Sequence, residues 1–373
     1  MKICNLQILT LLVFSTVTPV SFACSDIFIN QANAHIEARS MDFGVNIADN
    51  DIFGFVGQKN ITDVIIDAAK VPANQLTSWT NKYGYWARPA FNTSKADDGM
   101  NTQGLSLSGL YLEDVTKYPI YDPQDKRPVL GVFDMGSYLL SQAKNVDEAI
   151  KLIKSHQIIQ SAIQVKPGVF LKNVPIHFDL RDSTGNSAVI EFIAGQVKVY
   201  EHAGNVMTNG PTYPEQLALA KKYAAINKAQ AHSLDGLPGD FTSEARFARG
   251  QVLLRNLPQP YSHGEALYQA DFVISSLSVP FLATANHGNT SNTIWRVLKD
   301  LDNKVVYTNN VVYFQGGNKI VPTDITGGYT KIDLNNIDFS AVPQEFENST
   351  IQVTPADQVK KIIRASDLPE FGE

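Results

Sequence analysis

Residues 24–43 read Cys24-Ser25-Asp26-Ile27-Phe28-Ile29-Asn30-Gln31-Ala32-Asn33-Ala34-His35-Ile36-Glu37-Ala38-Arg39-Ser40-Met41-Asp42-Phe43. Two strand-like runs, Asp26–Asn30 and His35–Ser40, flank Gln31-Ala32-Asn33-Ala34, a pattern that predicts a hairpin opening the fold. Immediately before the hairpin stands Cys24, one of two cysteines in 373 residues. Upstream of it, Lys2, the apolar run 8–17, Pro19 and the small residues Ser21 and Ala23 have the layout of a secretory signal peptide. The run is too short to span a bilayer as a stable helix. A cut after Ala23 is therefore expected, removing residues 1–23 and leaving 24–373 as one domain, exported to a periplasmic or secreted location. That chain would have 350 residues, a net charge of −7, no stable membrane insertion, and Cys24 as both its only cysteine and its first residue.

The composition is that of an ordinary globular protein, 44% hydrophobic and 18% charged, with a net charge of −6 and no basic block. A nucleic-acid partner is not expected. No His-Glu-x-x-His run, Gly-x-Ser-x-Gly elbow or P-loop occurs, and the seven histidines are scattered without metal-ligand spacing. No metal and no organic cofactor is therefore expected. Pairing Cys24 with His177 or His202 in a Cys–His protease has no familiar local signature in its favour.

A lone exported cysteine cannot form an internal disulfide. Three readings of Cys24 remain. A buried structural thiol fits poorly at a chain end, where residues fray. A lipid-anchored, non-enzymatic lipoprotein fits poorly because Ser21 stands where a branched aliphatic residue is usual and a strand follows almost at once. An N-terminal nucleophile fits best. Its own α-amine, with a pKa of about 7.7–8.0 against about 8.5 for a free thiol, takes the thiol proton and later returns it to a leaving amine. Arg39 and Asp42 would return toward Cys24 on the second strand, the guanidinium favouring a thiolate and the carboxylate orienting an ammonium.

Further strands are expected at Asp63–Ile66, Leu105–Leu112, Ile176–Arg181, Ala188–Ile193, Val197–Glu201, Asn292–Lys299 and Lys304–Asn309. Helical spacing covers Val129–Ala143, Ile150–His156 behind the cap Asn145-Val146-Asp147-Glu148, Tyr213–Ile226, Thr242–Leu257 and Glu265–Ser278. Strands in consecutive hairpins with helices in pairs indicate an α+β fold of antiparallel sheets with helices outside.

Four motifs in order resemble the choloylglycine hydrolase family, which contains penicillin V acylases and conjugated bile salt hydrolases. They are Cys24 with Arg39-Ser40-Met41-Asp42-Phe43; Asp98-Gly99-Met100-Asn101-Thr102-Gln103-Gly104-Leu105 continuing to Ser108-Gly109-Leu110-Tyr111; Thr208-Asn209-Gly210-Pro211-Thr212-Tyr213; and Gly236-Leu237-Pro238-Gly239-Asp240-Phe241-Thr242 ending in Ala245-Arg246-Phe247. The resemblance implies an N-terminal nucleophile hydrolase with an αββα sandwich and no cofactor. It implies Cys24 as nucleophile and base, Arg39 and Asp42 as its tuning pair, and Asn209 with the main-chain N–H of Tyr111 as oxyanion donors. Arg246 would support the centre, and the assembly would be a homotetramer. Tyr111 resembles the penicillin V acylase branch, since bile salt hydrolases commonly have Asn there. Its exported Gram-negative members cleave penicillin V and N-acyl homoserine lactones. The expected partner is thus a small-molecule N-acyl amide, with a bile salt as the alternative. A dense aromatic stretch, including Trp79, Tyr85, Trp86 and Phe91, is a candidate lining for an aryl or fatty acyl group.

Overall fold

The computed structural model describes residues 24–340 except 44–49, 63–70, 90, 92, 167–168, 173, 224–233, 235, 281–283, 286–288, 291, 316–318 and 323–327. The expected signal segment and the expected strand Asp63–Ile66 lie outside the described residues, as does the end of the expected helix Tyr213–Ile226. Ser25–Gln31 (β1) and Ala34–Phe43 (β2) form the expected hairpin, with Ser25 opposite Ser40 and Gln31 opposite Ala34. They sit inside a six-stranded antiparallel sheet in the order Val206–Thr208, β1, β2, Asn292–Asp300, Val305–Asn310, Thr330–Asp333. A second, seven-stranded antiparallel sheet runs Gln196–Glu201, Ser187–Ile193, Ile176–Asp182, Leu105–Tyr111, Ala96–Asn101, Tyr85–Pro89, Ile52–Gly54.

Among the described residues, five helices cover the outer faces: Met135–Gln142 (α1), Val146–Lys154 (α2), Tyr213–Tyr223 (α3), Ser243–Asn256 (α4) and His263–Leu277 (α5). Helices α4 and α5 pack on the first sheet, with α3 against α4. Helix α1 packs on the second sheet, with α2 beside it. The layers are therefore helix, sheet, sheet, helix, with most of the strand content in two antiparallel sheets as the hairpin-rich sequence predicts. Helix starts follow the capping rule: Asn145, Thr242 and Ser262 accept from the backbone N–H three residues on.

One expected helix is only half a helix. Val129–Gly131 is a strand parallel to Gln157–Ile159, Val132–Asp134 is a 3-10 turn, and α1 begins at Met135. Tertiary pairing overrides the local periodicity there. Val129 O accepts from Thr77 N at 2.9 Å, and Gly131 N donates to the Thr62 hydroxyl at 2.8 Å.

Alternation along the hairpin decides what faces what. Asp26, Glu37 and Arg39 point at the second sheet, where Glu37 meets Ser108 and Arg39 meets Asp97. Ser25 and Asp42 point at the helical layer, where Arg246 of α4 reaches Ser25. The layer between the sheets is thus unusually rich in charge. Lys299 lies 2.8 Å from Glu37 and 2.5 Å from Asp98, and Arg181 lies 2.5 Å from Asp179, all five side chains fully screened from solvent.

Candidate active site

Cys24 immediately precedes β1 and is 3% exposed, with its Sγ 3.5 Å from Met41 Sδ. Burial raises the thiol pKa above its ordinary value; the Arg39 guanidinium pulls it down while the Asp42 and Asp97 carboxyls push it up. The backbone N–H of Asp42 also favours a sulfur anion. A thiol so placed is neutral at pH 7 and needs a base to become a nucleophile.

Arg39 and Asp42 are three residues apart, so they occupy opposite faces of β2 and flank Cys24 from two sides. Arg39 Nη2 lies 2.9 Å from Asp97 Oδ2, Nη1 lies 3.4 Å from Asp98 Oδ2, and Nη2 also donates to the Gly109 carbonyl. A Cβ at Gly109 would run into the Asp97 carboxylate, so glycine is what lets these two strands close over the guanidinium. Burial works against the charge on Arg39, yet Asp97 and Asp98 hold its pKa above the usual arginine value. The indole of Trp295 lies 5.1 Å from the Arg39 guanidinium and 5.0 Å from that of Arg88.

On the other face, Asp42 accepts from Thr293 Oγ1 and, at 3.3 Å, from Ser40 Oγ. Thr293 Oγ1 in turn accepts from Val279 N at 2.8 Å, which aims its proton at the carboxylate. Burial pushes Asp42 up to about 7, against the pull of Arg246, the two hydroxyls and Arg39. Thr293 and Trp295 bracket a register shift in the strand beside β2. That bulge lets the strand serve Asp42 and Arg39 on opposite faces.

Arg246, on the first turn of α4 behind the Thr242 cap, is fully buried. Its Nη1 donates to the Cys24 carbonyl at 2.5 Å and to Ser25 Oγ at 2.6 Å, its Nη2 to Asn209 Oδ1 at 2.8 Å, and its Nε to Phe241 O at 3.1 Å. Burial lowers its pKa to about 10 despite Asp42, which leaves it cationic at neutral pH. With Oδ1 committed to Arg246, the Asn209 amide must turn Nδ2 the other way, and Nδ2 donates to the Tyr111 carbonyl at 2.9 Å. The Asn209 carbonyl accepts from Gln216 of α3.

The structure therefore brings Cys24, Arg39, Asp42, Asn209, Arg246 and the Tyr111 main chain together. A small recess of about 30 Å³ adjoins the sulfur, lined by Met41, Phe43, Phe91, Tyr111, Val174 and Ile176 on its apolar side. Of the four aromatic candidates, Phe91 lines it, edge-on to Phe43 at 6.0 Å. Trp79 instead packs edge-on to Tyr138 of α1 at 5.2 Å. Tyr85 is buried beneath the same helix, and Trp86 is buried between the sheets. His177 faces Glu191 and His202 is exposed, so neither lines the recess. Sequence reasoning missed Asp97, Gln216, Thr293 and Trp295. Thr293 reaches Asp42 across 251 residues, a separation with no local signal.

Comparison with known proteins gives a consistent picture. The linear amide C–N hydrolases, choloylglycine hydrolase family, match residues 24–315. A penicillin V acylase from Pectobacterium atrosepticum is 32% identical over 241 residues, 60% of this chain and 62% of the relative. A bile salt hydrolase/transferase from Clostridium perfringens is 27% identical over 173 residues, 41% of this chain and 50% of the relative. Both matches thus span less than two thirds of the curated relatives. The structure of penicillin V acylase from Agrobacterium tumefaciens superposes with a TM-score of 0.68 at 26% identity, covering 85% of this chain and 88% of that one.

Proposed function

Since the chain belongs to the choloylglycine hydrolase family of linear amide C–N hydrolases, we propose that it is an exported acylase that hydrolyses a small N-acyl amide of the penicillin V type through N-terminal Cys24. Cleavage of the Ala23–Cys24 bond frees the α-amine. The family match beginning at residue 24 supports this. The amine takes the Cys24 proton, and the thiolate attacks the amide carbonyl carbon. A C–S bond forms and the carbonyl oxygen becomes an oxyanion, held by Asn209 Nδ2 and the Tyr111 N–H. The ammonium returns its proton to the nitrogen as the C–N bond breaks and the amine leaves. Water, deprotonated by the same amine, then attacks the thioester, releasing the acid and restoring the thiol. Arg39 stabilises the sulfur anion, and Asp42 orients the ammonium.

The observation that carries this reading is the Arg246 guanidinium, which ties the Cys24 carbonyl and the Asn209 amide to one rigid group. Nucleophile and oxyanion donor are thereby registered to each other, and the apolar recess beside Cys24 is where the acyl group would enter. Homotetrameric assembly belongs to the same reading, by family resemblance, and light scattering checks it.

The test is to offer penicillin V, an N-acyl homoserine lactone and glycocholate to the mature protein and to a Cys24→Ala variant. Hydrolysis of penicillin V by the first and none by the second is expected. A clear preference for glycocholate would overturn the substrate assignment. Equal turnover by the variant would overturn the nucleophile.

A further inference from the structure

At the far end of β1 and β2 from Cys24, roughly 23 Å away at about 3.3 Å per residue, four titratable side chains from three elements converge. Asp300 ends its strand, Asp302 stands in the turn that follows, His263 opens α5, and His35 lies at the start of β2. His263 Nδ1 is 3.2 Å from Asp300 Oδ2 and 3.9 Å from Asp302 Oδ2. The three donor atoms lie within 4.8 Å of one another. His263 Nδ1 is itself buried, yet it makes no hydrogen bond to either carboxylate. The ring nitrogen sits close to two anionic oxygens without being directed at one of them.

The surroundings hold the carboxylates in place. Asp300 accepts from Asn303 N at 3.0 Å and Asn303 Nδ2 at 2.8 Å. Asp302 accepts from His35 N at 2.8 Å and meets His35 Nδ1 at 2.9 Å. The neighbouring Lys304 ammonium is turned onto the Asp302 main-chain carbonyl, and Glu265 onto Tyr261 N. Neither charge competes for the centre of the cluster.

We propose that His263, Asp300 and Asp302 bind one zinc ion, with His35 orienting Asp302 from outside the coordination shell. One imidazole nitrogen and two carboxylate oxygens form a zinc donor set, with ligand distances of about 2.0–2.2 Å and a fourth position for water. Donor separations of 3.2 and 3.9 Å suit an ion at that distance from each. Calcium prefers six to eight oxygens and is disfavoured by the imidazole. Ligating carboxylates are themselves hydrogen-bonded in metal sites, and His35 supplies that support to Asp302. The bound ion would clamp the hairpin turn to α5 and to the strand that carries Thr293 and Trp295.

The test uses mature protein carrying Cys24→Ala, because an N-terminal cysteine is itself a zinc ligand, stripped with chelator and titrated calorimetrically with zinc and separately with calcium. One zinc per chain and a rise in Tm are expected, with calcium giving neither. Adding His263→Ala, on a partly exposed side chain, should weaken binding at least 100-fold, and Asp302→Asn is the second ligand variant. His35→Ala should weaken it about 10–100-fold, and His202→Ala should leave it unchanged. Absence of saturable binding at millimolar zinc, an isotherm insensitive to both His263→Ala and Asp302→Asn, or an equal response to calcium would overturn the proposal.

Discussion

At the residue scale, the geometry turns on which atoms of Asn209 and Asp42 are committed. Arg246 takes Asn209 Oδ1, so Nδ2 is fixed toward the carbonyl of Tyr111, a residue that lines the recess. In the proposed reaction, an oxyanion donor held this way contributes in the transition state rather than in substrate binding. Asn209→Ala should therefore lower kcat by about 10²–10³ with little change in KM, measured under saturating substrate. Asp42 depends on Thr293 for a hydrogen bond that favours its charged form. Thr293→Val removes it, raises the Asp42 pKa, and should move the acid limb of the kcat/KM profile to higher pH by roughly one unit, the equivalent of about 1.4 kcal/mol. Thr293→Ser should restore the limb. A limb unmoved by Thr293→Val would separate Asp42 from catalysis. Arg39, Asp42, Asn209 and Arg246 were legible because each stands in a short contiguous motif, and Cys24 because it follows a signal-like segment and opens a strand. Thr293 and Trp295 were not, because their roles exist only after a distant strand docks beside β2 with a shifted register.

At the scale of elements, the opening hairpin was readable because Ile27, Ile29, Ile36 and Ala38 recur at alternate positions on a half-polar ribbon buried except near its turn. Ala96–Asn101 was not read as a strand. Its Asp97 and Asp98 look like a surface turn, yet they face Arg39 and Lys299 between the sheets. Buried charge defeats a hydrophobic alternation rule, since the inward face is polar too. The first half of Val129–Ala143 failed for the opposite reason: continuous apolarity does not distinguish a buried strand from a helix. Helix α4 connects element to site, since its cap lies four residues before Arg246. The Thr242 Oγ1 accepts from Ala245 N at 3.2 Å. Thr242→Ala should lower stability by about 1 kcal/mol in urea unfolding, while kcat/KM stays within a few-fold because Arg246 keeps its four hydrogen bonds.

At the scale of the whole molecule, the sheet–sheet layer makes stability depend on pH. Burial pushes Asp26 well above the usual carboxylate range and Asp179 up to about 7, with Glu37 adding to both and Arg181 opposing. Carboxyls raised in the folded state favour it while protonated. Their contribution is full below the unfolded value of about 3.9 and is lost as pH rises toward 7. Glu37 behaves oppositely: burial resists its ionisation, but Lys299 draws it down to about 2, so its contribution is lost only in strong acid. Tm should therefore fall by a few degrees between pH 5 and pH 8, and Asp179→Asn should flatten that slope; a Tm that rises over this range would contradict the assignment. The same layered body suits the proposed nucleophile, because the two sheets hold Cys24 near both Arg39 and Asp42. The most direct measurement is mass spectrometry of mature protein acid-quenched during penicillin V turnover. The account predicts a chain beginning at Cys24 that carries one phenoxyacetyl group as a thioester on that residue, absent in Cys24→Ala. Steady turnover by a chain still carrying residues 1–23, or with no acyl group on Cys24 while Cys24→Ala remains active, would contradict it.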